Sequence, residues 1–255
     1  MTERVPAYTA AQVRAAERPL IDAGEPLMER AAAALAAVIR EEVAGASTSS
    51  ATGNRSATGT GTATGSPRIL VLAGSGDNGG DALLAGAALA DTIEVEVLRV
   101  GSRVHERGQA AAIAAGARVV EATTLEALEP YDLVVDGILG IGTGGDPALR
   151  GTARSAVEAL LPAVRAGATR VIAVDLPSGL HPDTGVTADD VVLPADVTVT
   201  FGAVKAGLVR GRGPQLAGRI ILVDLGLRPA LSGDASTGSA TGGLAEASVL
   251  RVVQG

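Results

Sequence analysis

The chain contains no cysteine among its 255 residues. It therefore forms no disulfide and has no thiolate to act as a nucleophile or a metal ligand. This absence excludes the small disulfide-stapled folds and agrees with a reducing compartment, so we expect a cytoplasmic protein.

Aromatic residues are almost absent and are limited to Tyr8, Tyr131 and Phe201. The chain therefore lacks the aromatic platform on which single-stranded nucleic acids stack. Its net charge of −7 argues against a broad phosphate-binding face for nucleic acid. No apolar run reaches the ~18–20 residues of a membrane-spanning helix. We expect neither a nucleic acid nor a membrane as a partner.

Lysine is also scarce: Lys205 is the single lysine among 21 basic residues. A compact ammonium and a planar guanidinium are not interchangeable in a specific site. Lys205 is therefore a candidate functional residue, although drift in an arginine-rich chain would leave the same pattern.

Two segments consist almost entirely of Gly, Ser, Thr and Ala and carry too little apolar area to order themselves. They predict a flexible insertion over residues 45–66 and a low-complexity tail over residues 232–255. One domain over residues 1–231 accounts for the rest of the chain.

Apolar strands alternate with helical segments between these two stretches, which predicts an α/β fold with a doubly wound, mostly parallel sheet. Strands are expected at Arg68–Ala73, Glu94–Val100, Arg118–Glu121, Asp132–Val135, Arg170–Val174, Val197–Phe201 and Arg219–Val223. Helices are expected after Thr9 as an N-cap and at Leu27–Val43, Asp81–Ala90, Glu106–Ala115, Thr124–Leu128 and Thr152–Ala166.

Three apolar strands run into an aspartate, at Asp136, Asp175 and Asp224. Ligands of open parallel sheets bind at the carboxyl ends of the strands, so each aspartate is a candidate site residue. Each can equally cap the turn or helix that follows its strand.

The first long strand leads into "GSGDNGGD", residues 74–81, which contains the G-x-G-x-x-G turn of dinucleotide-binding proteins. An NAD-dependent dehydrogenase would also need an acidic residue at the end of the second strand to hold the ribose. This chain has Arg99 and Arg103 there. An NAD(P)-dependent oxidoreductase is therefore the weaker alternative.

Oxygen-bearing side chains are expected to meet near this turn. Asn78 offers an amide oxygen, and Asp136 and Ser178 follow neighbouring strands. Ligands of this kind favour a hard cation. The alternative is purely structural, with Asp77 or Asn78 capping the helix and Asp81 placed in its first turn by the helix dipole.

Six segments occur in the order "LIDAGEPLMERAAAALA", "GSGDNGGD", "VVDGILGIGTGGDPALRG", "VIAVDLPSGLHPDTG", "ADVTVTFGAVKAGL" and "GRIILVDLGL". Together they resemble the motifs of the NAD(P)H-hydrate epimerase family. The resemblance implies a Rossmann-like, three-layer α/β/α fold and an isomerase that interconverts the R and S forms of hydrated NADH and NADPH in nucleotide repair. It also implies one K⁺ per subunit, a homodimer, and a functional link to an ADP- or ATP-dependent dehydratase of the same substrates.

The resemblance also implies site residues. The first substrate-binding loop falls on Asp77, Asn78, Gly79, Gly80 and Asp81. The second falls on Gly140, Ile141, Gly142, Thr143, Gly144, Gly145 and Asp146. The cation ligands fall on Asn78, Asp136 and Ser178, and a substrate-contacting aspartate falls on Asp175. Asp77 replaces the usual asparagine and adds a negative charge near the dinucleotide.

Epimerisation inverts the hydroxyl-bearing carbon of the hydrated nicotinamide and needs proton transfer at oxygen or nitrogen. A carboxylate in a partly dehydrated pocket can perform it, so Asp175 is the candidate catalytic base and Lys205 a second candidate. A non-catalytic dinucleotide-binding or interaction module stays open as an alternative.

Overall fold

The architecture is taken from a computed structural model that describes residues 3–52, 66–122, 130–142, 146–227, 230–231 and 246–255. The strands are β1 (Glu3–Tyr8), β2 (Arg68–Ala73), β3 (Glu94–Arg99), β4 (Arg118–Val120), β5 (Leu133–Gly137), β6 (Arg170–Val174), β7 (Val197–Phe201), β8 (Val204–Lys205), β9 (Arg219–Asp224), β10 (Glu246–Val249) and β11 (Arg251–Gln254). The helices are α1 (Ala10–Asp22), α2 (Leu27–Thr52), α3 (Asp77–Ala87), α4 (Glu106–Ala114), α5 (Gly151–Arg165) and α6 (Gly213–Leu216).

The main sheet has eight strands in the order β11-β9-β7-β6-β5-β2-β3-β4. Every pairing within it is parallel, which confirms the predicted α/β class. All the predicted strands are present with ends that shift by at most a few residues. Because the strands are parallel, the carboxyl ends of β2, β5 and β6 lie at one edge of the sheet.

Helices cover both faces of this sheet. On one face Val71 packs in a cluster with Leu35 of α2 and Leu83 of α3. On the other face Leu70 packs in a cluster with Leu160 of α5. Neighbouring residues of one strand therefore enter different cores, as the two-residue period of a strand requires. The three layers are confirmed, and burial of both faces explains why these strands are continuous apolar runs.

A small second sheet, in the order β10-β1-β8, corrects the prediction of a low-complexity tail over residues 232–255. Strand β10 pairs antiparallel with β1, and β11 pairs with β9 at the edge of the main sheet. Ala247 and Val249 are buried between exposed neighbours, an alternation too short to stand out from the composition. Residues 232–245 lie outside the described residues.

Helix α2 is longer than the sequence predicted. It continues past Val43 to Thr52, so the first part of the segment predicted as a flexible insertion is helical. Extending a helix already anchored by a buried face costs far less than starting one. Residues 53–65, and the helix predicted at Thr124–Leu128, lie outside the described residues. Across the described helices, none combines the length and the apolar character needed to cross a membrane.

Candidate active site

A cleft of about 830 Å³ opens at the carboxyl ends of the central strands. Its walls come from residues 74–78 after β2, residues 138–142 after β5, and Asp175 after β6. Lys205 of β8 and one face of α1 complete it. A cleft of this size at this edge of a parallel sheet is a typical ligand site.

The glycine turn after β2 brings the backbone close to the next strand connection. A Cβ on Gly74 would lie 1.9 Å from the carbonyl oxygen of Ile138, and a Cβ on Gly79 would lie 2.2 Å from that of Gly74. Gly80 packs against the ring of His105. The predicted substrate residues Gly79 and Gly80 therefore shape the turn but are not among the residues that line the cleft.

Helix α3 begins at Asp77, with Gly76 as its N-cap, four positions before the predicted start at Asp81. Asp77 and Asn78 thus lie in the first helical turn, and neither is the N-cap that the structural alternative required. Asp77, Asn78 and Asp81 all line the cleft, as expected for the first substrate loop. The first N–H groups of a helix have no partner within it, so this terminus is suited to hold an anion.

Asp175 directly follows β6 and has a left-handed backbone with φ of +69°, which no other non-glycine residue in the described part of the chain shares. Its side chain is buried, with 4% of the residue exposed. The Oδ1 atom accepts hydrogen bonds from the Thr200 hydroxyl at 3.2 Å, from the Phe201 N–H at 3.3 Å, and from the Lys205 ammonium. Strain of this kind persists where the surroundings fix a residue, and it is concentrated at functional sites.

Lys205 is 1% exposed and forms an ion pair with Asp175. Its ammonium also donates to the Phe201 carbonyl at 2.7 Å and to the Thr200 hydroxyl at 3.3 Å. Three acceptors therefore match the three protons of the ammonium. The single lysine of the chain thus lies in the predicted site, against the predicted catalytic aspartate.

Asp81 differs from Asp175 although both line the cleft. It is buried, with 6% of the residue exposed, and its Oδ1 atom has no hydrogen-bond partner among the described residues. Burial raises the pKa of Asp81 well above its usual value, the negative charges of Asp175 and Asp77 raise it further, and Lys205 lowers it less.

Helix α1 lines the cleft with Ile21 and with two charged residues that sequence reasoning missed, Arg14 and Glu17. Thr9 caps the helix in a capping box, as predicted for the N-cap. The Arg14 guanidinium donates to the Ile141 carbonyl at 2.8 Å, so α1 holds the second loop. Burial is the main cause that raises the pKa of Glu17. Both residues lie next to the buried face of the helix, which includes Val13. This apolar face is the sequence signal that could have placed them against the domain.

The three predicted cation ligands are joined by hydrogen bonds, because Asn78 and Ser178 both bond to the backbone of Leu139 and Asp136 bonds to Ser178. Asp136 is 1% exposed and accepts hydrogen bonds from the Ser178 N–H at 2.8 Å and from its hydroxyl at 2.6 Å. The Leu139 N–H donates to the Ser178 hydroxyl at 2.9 Å. The Asn78 amide donates to the carbonyls of Leu139 at 3.2 Å and Val174 at 2.6 Å. Burial raises the pKa of Asp136, and its bonds to Ser178 oppose the shift.

These contacts allow a test of whether the residues suit a cation. The side chains supply one carboxylate, one hydroxyl and one amide oxygen, and two backbone carbonyls lie beside them. All five groups carry hard oxygen ligands, and only one of them bears a full charge. Such a set suits a weakly polarising monovalent ion. Asp136 and Ser178 are each 1% exposed and do not line the cleft, whereas Asn78 and Leu139 reach it.

The second predicted loop divides into two parts. Gly140, Ile141 and Gly142 line the cleft, and a Cβ on Gly140 would lie 2.4 Å from Asn78 Oδ1. The next residues lie outside the described part of the chain: Thr143, Gly144 and Gly145. Asp146 is exposed and is not among the residues that line the cleft. It accepts a bond from the Ala148 N–H at 2.9 Å and pairs with Arg150, and both of these partners line the cleft.

The parallel sheet, its glycine turn and the cleft at the strand ends define a Rossmann-like α/β protein. Comparison with known proteins narrows this class. The family described as "YjeF-related protein N-terminus" matches residues 24–207. The chain is 56% identical over 232 residues to the NAD(P)H-hydrate epimerase of Microbacterium testaceum. The aligned region covers 90% of this chain and 82% of the relative. The chain therefore belongs to the NAD(P)H-hydrate epimerase family.

Other relatives agree with this assignment. The NAD(P)H-hydrate epimerase of Clavibacter michiganensis is 50% identical over 228 residues, or 86% of this chain and 90% of that one. The bifunctional NAD(P)H-hydrate repair enzyme Nnr of Mycobacterium tuberculosis is 37% identical over 229 residues, or 86% of this chain and 41% of that one. A crystal structure of yeast YNL200c superposes with a TM-score of 0.62 at 18% identity over 80% of this chain and 84% of that one, which supports the fold.

Proposed function

We propose that the chain is an isomerase that interconverts the R and S epimers of hydrated NADH and NADPH. The family supports the reaction, and the observation that carries it in this chain is the buried Asp175–Lys205 pair in the cleft beside the glycine turn. The cleft holds a carboxylate, an ammonium and the start of a helix, which are groups able to move a proton and hold an anion.

In this proposal Asp175 acts as the catalytic base. It takes the proton from the hydroxyl of the hydrated ring, and Lys205 holds its carboxylate in position through their ion pair. The bonds from Thr200 and Phe201 fix the same oxygen, so the carboxylate is oriented before substrate arrives. No hydride leaves or joins the ring, so the reaction needs no redox partner.

We also propose that the oxygen ligands below the cleft bind one K⁺ per subunit. Asn78, Asp136 and Ser178 would hold it, and the mixed set of neutral and charged oxygens described above supports this. When bound, the ion would supply a positive charge that fixes the connections after β2, β5 and β6. Asp136 and Ser178 already join the last two of these connections through their hydrogen bonds.

Further expectations rest on the family resemblance. We propose that the chain forms a homodimer in the cytoplasm and works with an ADP- or ATP-dependent dehydratase of the same substrates. The bifunctional relative supports the last point, because this chain matches only 41% of its length and leaves room for a second activity. Light scattering of the purified chain measures the oligomeric state directly.

The experiment that tests the proposed function gives the purified chain one epimer of hydrated NADPH. Chromatography then follows the approach to the mixture of both epimers, with buffer alone as the control for spontaneous conversion. We expect the chain to reach this mixture much faster than buffer. Binding without faster conversion would favour a non-catalytic module, and loss of the reduced cofactor with a carbonyl substrate would favour an oxidoreductase.

A further inference from the structure

The cleft contains two buried carboxyl groups whose surroundings differ. Asp175 has a buried ammonium and two other donors on one oxygen. Asp81 has an oxygen with no partner among the described residues, although only 6% of the residue is exposed. An unpaired buried carboxylate is costly, whereas a neutral carboxylic acid at the same place is not. When the environments of two acids in one site differ in this way, one carries the proton and the other carries the charge.

The charged groups around Asp81 favour its neutral form. Asp77 lies on the same helix, Glu17 faces the cleft from α1, and Asp175 faces it from the end of β6. Among the described residues, three cations line the same cleft, but Lys205 is paired with Asp175, Arg14 donates to a backbone carbonyl, and Arg150 pairs with Asp146. Burial is the largest cause that raises the pKa of Asp81, and the three acids raise it further.

We propose that Asp81 is a second catalytic residue, the proton donor that works opposite the base Asp175. This inference rests on the proposed function. It adds a role in proton transfer for a residue that, as part of the first substrate loop, was otherwise expected only to bind the substrate. It follows from the position of Asp81 on the cleft wall, from its unpaired buried oxygen, and from the absence of a cation bonded to it among the described residues.

The step balances without an oxidant or a co-reactant. Asp175 takes the proton of the hydroxyl on C6 of the hydrated ring, and the electron pair of that O–H bond forms the C6=O bond. The C6–N1 bond breaks, its electron pair stays on N1, and N1 takes the proton of Asp81. Rotation about the C5–C6 bond turns the other face of the aldehyde towards N1. Ring closure then reverses each transfer, so Asp81 regains its proton and Asp175 its charge.

The test compares Asp81→Asn with Asp190→Asn. Asp190 is a matched control because its side chain is 85% exposed and it pairs with Arg212 at the surface. Asparagine has the shape of a neutral aspartic acid but cannot give its proton to the ring. We expect Asp81→Asn to lose about 10²–10⁴-fold in kcat while it still binds hydrated NADPH. Asp190→Asn should retain the wild-type rate.

Melting curves at several pH values give a second readout. A folded-state pKa above the unfolded value means that the native protein binds more protons, so stability is full at low pH and falls as pH rises through the folded pKa. Asp81→Asn should remove this fall and melt at or above the wild-type temperature near neutral pH. Asp190→Asn should keep the wild-type profile.

Infrared difference spectra report the proton itself. At neutral pH the wild-type protein should show the C=O stretching band of a protonated carboxylic acid, and Asp81→Asn should lack this band while Asp190→Asn retains it. The inference is overturned by an active wild-type enzyme whose Asp81→Asn variant turns over at the wild-type rate, by absence of the band, or by a variant that fails to fold beside a folded control. A wild-type chain that converts neither epimer contradicts the proposed function instead, and the donor role falls with it.

Discussion

The same three residue types occur where β6 and β9 end, since Val174-Asp175-Leu176 matches Val223-Asp224-Leu225. The two aspartates nevertheless have different environments. Asp175 is buried in a left-handed conformation against Lys205. Asp224 is half-buried and accepts a hydrogen bond at 2.9 Å from the N–H of Gly226, two residues further along the chain. One end enters the cleft, and the other caps its own turn.

The difference comes from partners that are distant in sequence. Lys205 lies 30 residues beyond Asp175 and reaches it from β8. Ser178 lies 42 residues beyond Asp136, at the third strand end of this kind. A carboxyl group at the end of a parallel strand therefore joins this site where another segment places a matching group beside the cleft, as Lys205 does for Asp175. Asp224 does not line the cleft and accepts from the N–H of its own turn.

The largest effect is expected from leaving Asp175 without its partner. Lys205→Met replaces the ammonium with an apolar group and leaves a buried carboxylate unpaired, which should cost about 3–5 kcal/mol of unfolding free energy. Denaturant unfolding measures it. The double variant Asp175→Asn with Lys205→Met removes both charges and should recover most of this stability but no activity. Equal stability of Lys205→Met and wild type would contradict the importance of the pair.

A smaller effect is expected when the charge is kept and the shape is changed. Lys205→Arg puts a wider, planar group where the three acceptors surround one ammonium. Overpacking of this kind typically costs about 1–3 kcal/mol. We also expect slower epimer conversion, because the fork cannot hold Asp175 in the same position. A rate and a melting temperature equal to those of wild type would show that charge alone matters here.

The Asp136 strand end can be tested with salts. If its oxygen ligands bind K⁺, then K⁺ at ten times its dissociation constant adds about 1.4 kcal/mol to the stability of the folded chain. Li⁺ at equal concentration should add less, because it is too small for this set of neutral and charged oxygens. Identical melting curves in the two chlorides would contradict the cation site, and Ser178→Ala should reduce the difference if the site exists.

The smallest effect is expected at the end of β9. Asp224→Ala removes the acceptor for the Gly226 N–H, a local hydrogen bond with a net worth of about 0.5–1.5 kcal/mol. Activity should be unchanged, because Asp224 is not among the residues that line the cleft. A large loss of activity with intact folding would give this strand end a role that its contacts do not explain.

Much of this arrangement was predictable from local sequence. The apolar runs gave the parallel sheet, and the glycine turn placed Asp77, Asn78 and Asp81 at the cleft. The role of Arg14 was not predictable, because its bond joins residues 127 positions apart. Likewise, β1 and β10 are stabilised mainly by pairing with each other, and their own sequences are too short and mixed to indicate strands.

The division of the proton between the two cleft acids was also hidden from sequence. Asp81 follows the glycine turn in the first part of α3 and Asp175 follows the apolar strand β6, but neither local sequence shows which acid has a cation as its partner. What separates them is tertiary: Lys205 bonds to one, and the other keeps an unpaired oxygen in the same cleft. Local sequence therefore predicts which residues lie at the edge of the sheet. It does not predict which of these acids has a charged partner there.

The central claim, that pairing with Lys205 in the cleft makes the Asp175 carboxylate functional and its place at a strand end does not suffice, is tested most directly by one pair of rates. Asp175→Asn and Asp224→Asn are assayed for conversion of a single epimer of hydrated NADPH, with folding checked for each. Asparagine has nearly the shape of aspartate at both positions, and it also tolerates the left-handed backbone at Asp175. We predict a rate about 10²–10⁴-fold below wild type for Asp175→Asn and an unchanged rate for Asp224→Asn. Equal rates for the two folded variants would contradict the account.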